Sequence, residues 1–216
     1  MSSHLKRTYP LALVIVGVAL SLVVFDRLPA QMPVHWAMDG QPNGWMPRVI
    51  GAFVAPLGMI AIWVVLRVVP VIDPRRENYA KFERAYDITI AAALTLLFAI
   101  HVITIAWSLG LPVPIARAAP VLSGVLFLVI GNVMPLARSN FMFGVRTPWT
   151  LSNERVWART HRLAGYTMTA AGLFMIIGGL LLPQDAAMAV IVGSVGAAVI
   201  APVVYSYLTW KREMSQ

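Results

Sequence analysis

Six long apolar runs, broken only by short polar connectors, constrain this chain more than any other feature. They cover Tyr9–Phe25, Val49–Val71, Asp87–Leu109, Ala118–Leu136, Leu163–Leu182 and Ala187–Thr209. About 20 apolar residues at 1.5 Å rise cross the ~30 Å hydrocarbon core of a bilayer as a helix. In hydrocarbon every backbone N–H and C=O must be paired within the protein, which a helix does locally. Only 12% of the 216 residues are charged and 59% are hydrophobic, against about 25% charged in a soluble domain. The reading is an all-α integral membrane protein, a bundle of six transmembrane helices forming a single membrane domain over 1–216. The first run has 17 residues and still reaches about 26 Å. Leu28-Pro29-Ala30 follow it, but the run exceeds a signal-peptide core and Leu28 is bulky for a cleavage site, so a retained helix is expected. The connectors Gly110–Arg117 and Pro183–Ala186 force antiparallel neighbours. Pro70, Pro135 and Pro202 fall in or near helix ends, where packed neighbours can satisfy the freed carbonyls.

The net charge of +8 would point to nucleic acid in a soluble protein. Here the basic residues cluster between the apolar runs, so they read as topology markers and no direct nucleic-acid contact is expected. With the N-terminus inside, thirteen Lys and Arg lie on the cytoplasmic side, Lys6 and Arg7 among them, and three (Arg27, Arg48, Arg117) on the other. This bias predicts both termini in the cytoplasm. It makes 26–48 an extracytoplasmic loop and 72–86 and 137–162 cytoplasmic loops, with Arg67 snorkelling to the basic side. Cysteine is absent, which excludes disulfides and thiolate metal sites. Asn78, Phe82, Arg84 and Tyr86 recur 75 positions later as Asn153, Trp157, Arg159 and His161; shared juxtamembrane composition explains this as simply as duplication of a helical hairpin.

The outer loop is dense in turn residues, from Pro29 and Pro33 through Gly40, Pro42, Asn43 and Gly44 to Pro47. Such a string predicts a folded, turn-rich loop or small hairpin. Pro33, His35, Trp36 and Gly40 are its candidate binding residues. One histidine with Asp39 nearby makes a poor metal site, and neither metal nor cofactor is expected.

The inner loop carries polar and aromatic chemistry beyond what solubility requires. Pro148 blocks a helix from running through it, Gly144 permits a bend, and a helix should restart at Ser152 or Asn153 with Glu154 in its first turn. On that helix Glu154, Trp157 and His161 share one face, directed into the bundle. Arg155, Arg159 and Arg162 share another, suited to anionic headgroups. An ordered polar site is expected from Asn132, Asn140, Gly144, Arg146, Thr147, Trp149, Thr150, Asn153, Glu154, Trp157, His161 and Arg162. In the third span His101 reads as a neutral imidazole bonded to a carbonyl or lying at the outer interface.

The segment GNVMPLARSNFMFGVRTPWTLSNERVWARTHRLAG resembles the hallmark of the SdpI family of bacterial membrane proteins. Gly131, Asn132 and Pro135 meet its opening. Asn140, Gly144 and the run Val145-Arg146-Thr147-Pro148-Trp149-Thr150-Leu151 meet its centre, and Trp157, Thr160, His161, Arg162 and Gly165 meet its close. Leu28, Pro29, Pro33, His35, Trp36, Gly40 and Trp45 resemble the short domain of unknown function common near the start of such proteins. The resemblance implies a multi-pass protein of the bacterial inner membrane. It also implies immunity to a toxic peptide met on the outer side, with envelope signalling through a transcriptional repressor drawn to the cytoplasmic face. Two other classes stay open on the residues alone: an exporter of small molecules or peptides, and an enzyme using Glu154 and His161 as acid and base.

Overall fold

Apolar helices in lipid gain little from burying apolar surface against each other, so close backbone approach and polar contacts must hold the bundle. The computed structural model describes residues 3–37 and 39–215, without the side chains of residues 3–7; the side chains of Lys6 and Arg7 therefore lie outside the described residues. The order of elements is α1 (Ser3–Val24), β1 (Gln31–Trp36), β2 (Pro42–Pro47), α2 (Arg48–Ile72), α3 (Glu83–Ser108), α4 (Ile115–Val133), α5 (Pro148–Ser152), α6 (Glu154–Leu181) and α7 (Gln184–Met214). Among the described residues, all of these helices except α5 are long and apolar enough to cross a membrane. The fold is an all-α bundle of six spans. Most helices overrun the expected apolar limits, because polar residues prolong them beyond the hydrocarbon. Helix α4 instead starts earlier and stops at Val133, where Met134–Leu136 tighten into a 3-10 turn around Pro135.

The second half is held by a seam of glycines. On α4, Gly124 and Gly131 are seven apart; on α6, Gly165, Gly172 and Gly179 repeat the same interval. A seven-residue interval keeps one face of a helix in register with a partner. A Cβ on Gly172 would lie 2.6 Å from Gly124 O, and one on Gly165 would lie 2.8 Å from both Gly131 O and Pro135 Cγ. At Gly179 it would meet Pro120 Cβ at 2.9 Å. The two antiparallel backbones therefore touch along their length, and α6 packs on its other side along α7.

In the first half α1, α2 and α3 pack together around Val14, Met59, Ile90 and Leu94. A polar knot sits inside it. Ser21 donates to Ala52 O at 2.5 Å, and His101 Nε2 lies 3.1 Å from Gly17 O and 3.2 Å from Ser21 Oγ. His101 is fully buried and bonded to a carbonyl, the first of its two expected settings. Arg67 pairs with Asp87 at 3.0 Å, joining α2 to α3. Asp87 lies in the first turns of α3, at the latch end, so the pair directs the part-exposed Arg67 guanidinium towards the basic side.

The loop between α1 and α2 is the small hairpin. Strands β1 and β2 pair antiparallel, Gln31 opposite Pro47 and Pro33 opposite Trp45, with irregular register around His35. Met32 is fully buried against α2, where a Cβ on Gly51 would lie 2.7 Å from Met32 Cβ. Trp45 stacks edge-on to Trp107 of α3 at 5.9 Å. At the hairpin tip Gly40 has φ +75° and rests on Ala116 N, leaving no room for a side chain.

Candidate functional site

At the end of the bundle opposite the hairpin, residues 137–153 form a fixed latch. Asn140 is fully buried and is its hub. Its Oδ1 accepts from Phe143 N at 2.6 Å, Met142 N at 3.0 Å and the Tyr79 hydroxyl at 3.2 Å, and its Nδ2 donates to Arg138 O at 2.8 Å. Asp73, just past α2, lies 3.0 Å from the Tyr79 hydroxyl, whose single proton it shares with Asn140, and accepts from Phe141 N at 2.9 Å and Arg75 N at 2.7 Å. Burial first, then the hydrogen bond to Asp73 and that carboxylate's charge, hold the Tyr79 phenol well above its ordinary value, so it remains a donor. Arg75 donates to Ser139 Oγ and, at 2.9 Å, to Leu151 O, and stacks over Phe141 at 4.9 Å. Asn78 donates to Ser139 O at 2.7 Å. The loop that follows α2 thus clamps the loop that follows α4.

The second half of the latch rests on α6. Trp157 donates from Nε1 to Ala137 O at 2.8 Å and stacks on His161 at 4.0 Å. His161 Nδ1 donates to Trp157 O at 2.9 Å, while Nε2 accepts from Val145 N at 3.0 Å. This arrangement fixes the neutral Nδ1–H tautomer and spends both ring nitrogens. Thr147 caps α5 by accepting from Thr150 N, Pro148 takes the first helical position, and Thr150 Oγ1 donates to Val145 O at 2.9 Å. The proline therefore starts a short helix as well as ending an extended segment; its missing N–H is one that no helix start can pair. Thr147 Oγ1 also meets Ser206 Oγ of α7 at 3.1 Å, and Trp149 packs on Tyr207 at 5.1 Å. Asn153 caps α6 through Arg155 N at 2.8 Å and Val156 N at 3.2 Å, at one of the two expected positions.

Gly144 completes the turn at φ +104°, and a Cβ there would overlap His161 Nε2. Gly144→Ala is expected to cost about 1–3 kcal/mol in backbone strain and to break the Val145–His161 bond as well. The check is thermal unfolding in detergent combined with the histidine ring nitrogen shifts by NMR. A wild-type midpoint with unchanged His161 shifts would contradict the expectation.

The structure thus gathers Asn140, Gly144, Thr147, Trp149, Thr150, Asn153, Trp157 and His161 into one ordered unit. It does not gather the rest. Asn132 is exposed on α4, and Arg146 and Arg162 are exposed at the rim. Glu154 is also exposed: it stands at the start of α6, beside a crevice of about 280 Å³ that Lys81, Arg138 and Trp157 also line. The shared face of Glu154 and His161 therefore divides, because the first turn of α6 projects past the bundle while His161 lies beneath the latch. No acid–base pair forms, and His161 has no nitrogen free for one. Arg155 and Arg159 pair with Glu213 of α7 at 3.2 and 3.0 Å. Two of the three arginines expected to face lipid headgroups thus pair with α7, since α7 continues to Met214 and brings the Glu213 carboxylate within reach. Asp73, Arg75, Asn78, Tyr79, Ser139 and Ser206 were not expected in the unit; an acid before a proline reads as a turn, and nothing in the sequence ties it to Asn140. The repeated positions do share burial: Phe82 and Trp157 are buried, Tyr86 and His161 are buried, and Arg84 and Arg159 are exposed.

A second candidate lies under the hairpin. A cavity of about 440 Å³ opens between α3, α4, α6 and α7, roofed by Val34, Trp36 and Gly40. Ile103, Leu122 and Met175 supply apolar walls. The Trp36 indole Nε1 is buried with no hydrogen-bond partner among the described residues, a costly state for a donor away from water. His35 also lines the cavity, and its Nδ1 lies 2.5 Å from Asn43 Oδ1 across the hairpin. Pro33 is buried in β1, facing away from solvent.

Both regions coincide with matches to known families. Residues 136–206 match the SdpI/YfhL protein family, a segment that begins at the latch and ends in α7. Residues 12–60 match a domain of unknown function, DUF1648, which takes in the later part of α1, the hairpin and half of α2. The chain is also similar to Immunity protein SdpI of Bacillus subtilis (strain 168), 24% identical over 172 residues that make up 80% of each chain. No solved structure matches it. Within the matched segment Asn140 is the hub of the latch and His161 its floor: over residues 136–206 the chain is similar to the SdpI/YfhL protein family, and over most of its length to Immunity protein SdpI.

Proposed function

We propose that this multi-pass membrane protein confers immunity to a secreted, membrane-active peptide, which it meets on the hairpin face. The observation that carries this reading is the apolar cavity under the hairpin, with the unpartnered Trp36 indole at its roof. An apolar side chain of the peptide enters between Ile103, Leu122 and Met175, and a peptide carbonyl takes the indole proton. Pro33, His35 and Gly40 shape the entrance. The reading places 1–216 in the bacterial inner membrane as one domain with both termini in the cytoplasm, supported by the excess of Lys and Arg on the latch side. The loop at 137–162 then faces the cytoplasm, where the exposed Glu154 and Arg162 meet a regulator of transcription.

The test compares a deletion strain carrying wild type, Trp36→Phe or an empty vector, challenged with a panel of membrane-active peptides. Wild type should protect against at least one peptide. Trp36→Phe should lose about tenfold in protection at equal membrane abundance, the effect of removing one buried hydrogen bond. Equal sensitivity of all three strains to every peptide, with unchanged transcription, would refute the reading.

A further inference from the structure

We infer that the chain holds an anionic phospholipid in a built groove at the latch end, independently of any peptide at the hairpin. The groove, about 350 Å³ in volume, runs across α6 between α4 and α7. Phe127 and Met134 of α4, Met168 of α6, and Val199 and Val203 of α7 form its apolar walls. Val199 and Val203 are exposed, so the groove opens towards the bilayer and an acyl chain fills it.

The latch strand Gly144–Thr147 closes the far end. The backbone of Val145 and both the backbone and side chain of Thr147 are already engaged. Val145 N is spent on His161 Nε2, Val145 O accepts from Thr150, and Thr147 is bonded to Thr150 and Ser206. Among the described residues, Arg146 is the one charged residue lining the groove. Its Nη1 donates to Phe141 O at 3.1 Å, which anchors the guanidinium and leaves other N–H groups available. A guanidinium forks onto a phosphate oxygen pair. Among the described residues no acidic one lines the groove, so none of them offsets the positive charge or favours a headgroup carrying its own cation. An apolar trough ending in one cation complements a lipid with an acyl chain below a net negative phosphate. The complement holds whichever way the chain is inserted.

The full-length protein is reconstituted in nanodiscs of equimolar phosphatidylglycerol and phosphatidylcholine, and the lipids it retains are counted by native mass spectrometry. Wild type should retain phosphatidylglycerol over phosphatidylcholine by about fivefold, the factor one arginine contributes near an anionic surface. Arg146→Gln should bring the ratio close to one. Val199→Trp, at an exposed position on the wall, should reduce retention of both lipids by filling the trough while the protein stays folded by thermal unfolding. Equal retention of the two lipids by wild type, or wild-type retention by either folded variant, overturns the proposal. Should Arg146→Gln fail to fold, Val199→Trp decides alone.

Discussion

Gly172→Leu is expected to drive α4 and α6 apart and to abolish accumulation of folded protein. A Cβ at Gly172 would meet Gly124 O at 2.6 Å and Leu128 N at 2.8 Å. Both are backbone atoms, which cannot turn aside as a side chain can. Inserting one methylene group into a packed core costs about 1–3 kcal/mol, and a whole leucine at a backbone crossing exceeds that range. In lipid no hydrophobic term compensates, since a tail is as apolar as leucine and helix association rests on close packing. The paired control is Gly193→Leu on α7, where an added Cβ meets nothing within 4 Å. Fluorescence-detected gel filtration in detergent should show aggregate for Gly172→Leu and a wild-type peak for Gly193→Leu. Equal peaks for the two would mean that the seam does not hold the second half together.

Asn140→Leu should release the latch while leaving the spans folded. Leucine nearly matches asparagine in shape but returns none of its bonds, so Met142 N and Phe143 N lose their acceptor and Tyr79 keeps only Asp73. A buried donor left unpaired costs about 1–3 kcal/mol, so two of them cost about 2–6 kcal/mol. That exceeds what a surface loop needs to open locally without global unfolding. Limited proteolysis should therefore cut between Arg138 and Arg155 in the variant and spare the wild type, with helical circular dichroism unchanged. If the variant resists cleavage as wild type does, the hub is dispensable and Arg75 with Asp73 suffices.

These two residues show how differently the parts of the molecule could be read beforehand. The six spans were legible because apolar length is a local property and lipid allows few structures to cross it. The start of α6 was legible for the same reason: Asn153 and Glu154 act within one turn of themselves. The hairpin followed from turn residues that each fix their own backbone angles. Pro148 is legible only in part, since its power to begin a helix depends on Thr147 and Thr150 closing the capping box around it.

The latch was half legible. Asn140, Gly144, Thr150 and His161 stood out as polar residues in an apolar chain, yet their partners did not. Asp73 lies 67 positions before Asn140 in the sequence, and the two meet through Tyr79 because α2 and α4 end on the same side of the bundle. Glu154 and Arg155 show the reverse case. Helical spacing put Glu154 with His161 and Arg155 against lipid, but spacing cannot say how far a helix projects beyond its neighbours, or that α7 continues to Glu213 beside it. The glycine interval of seven was present in the sequence all along. It gains meaning only when the opposing helix supplies the same interval in the antiparallel sense.

By itself, then, the sequence determined what each segment does alone: cross the membrane, turn, cap or stop. These outcomes follow from side-chain transfer energy and backbone sterics within a few residues. Tertiary structure decided which segments meet: the crossing of α4 and α6, the clamp of Asp73 and Tyr79 on Asn140, and the enclosure of His161. Such contacts depend on the relative rotation and depth of helices, which are set by packing distant parts of the chain together and leave no trace in any one stretch.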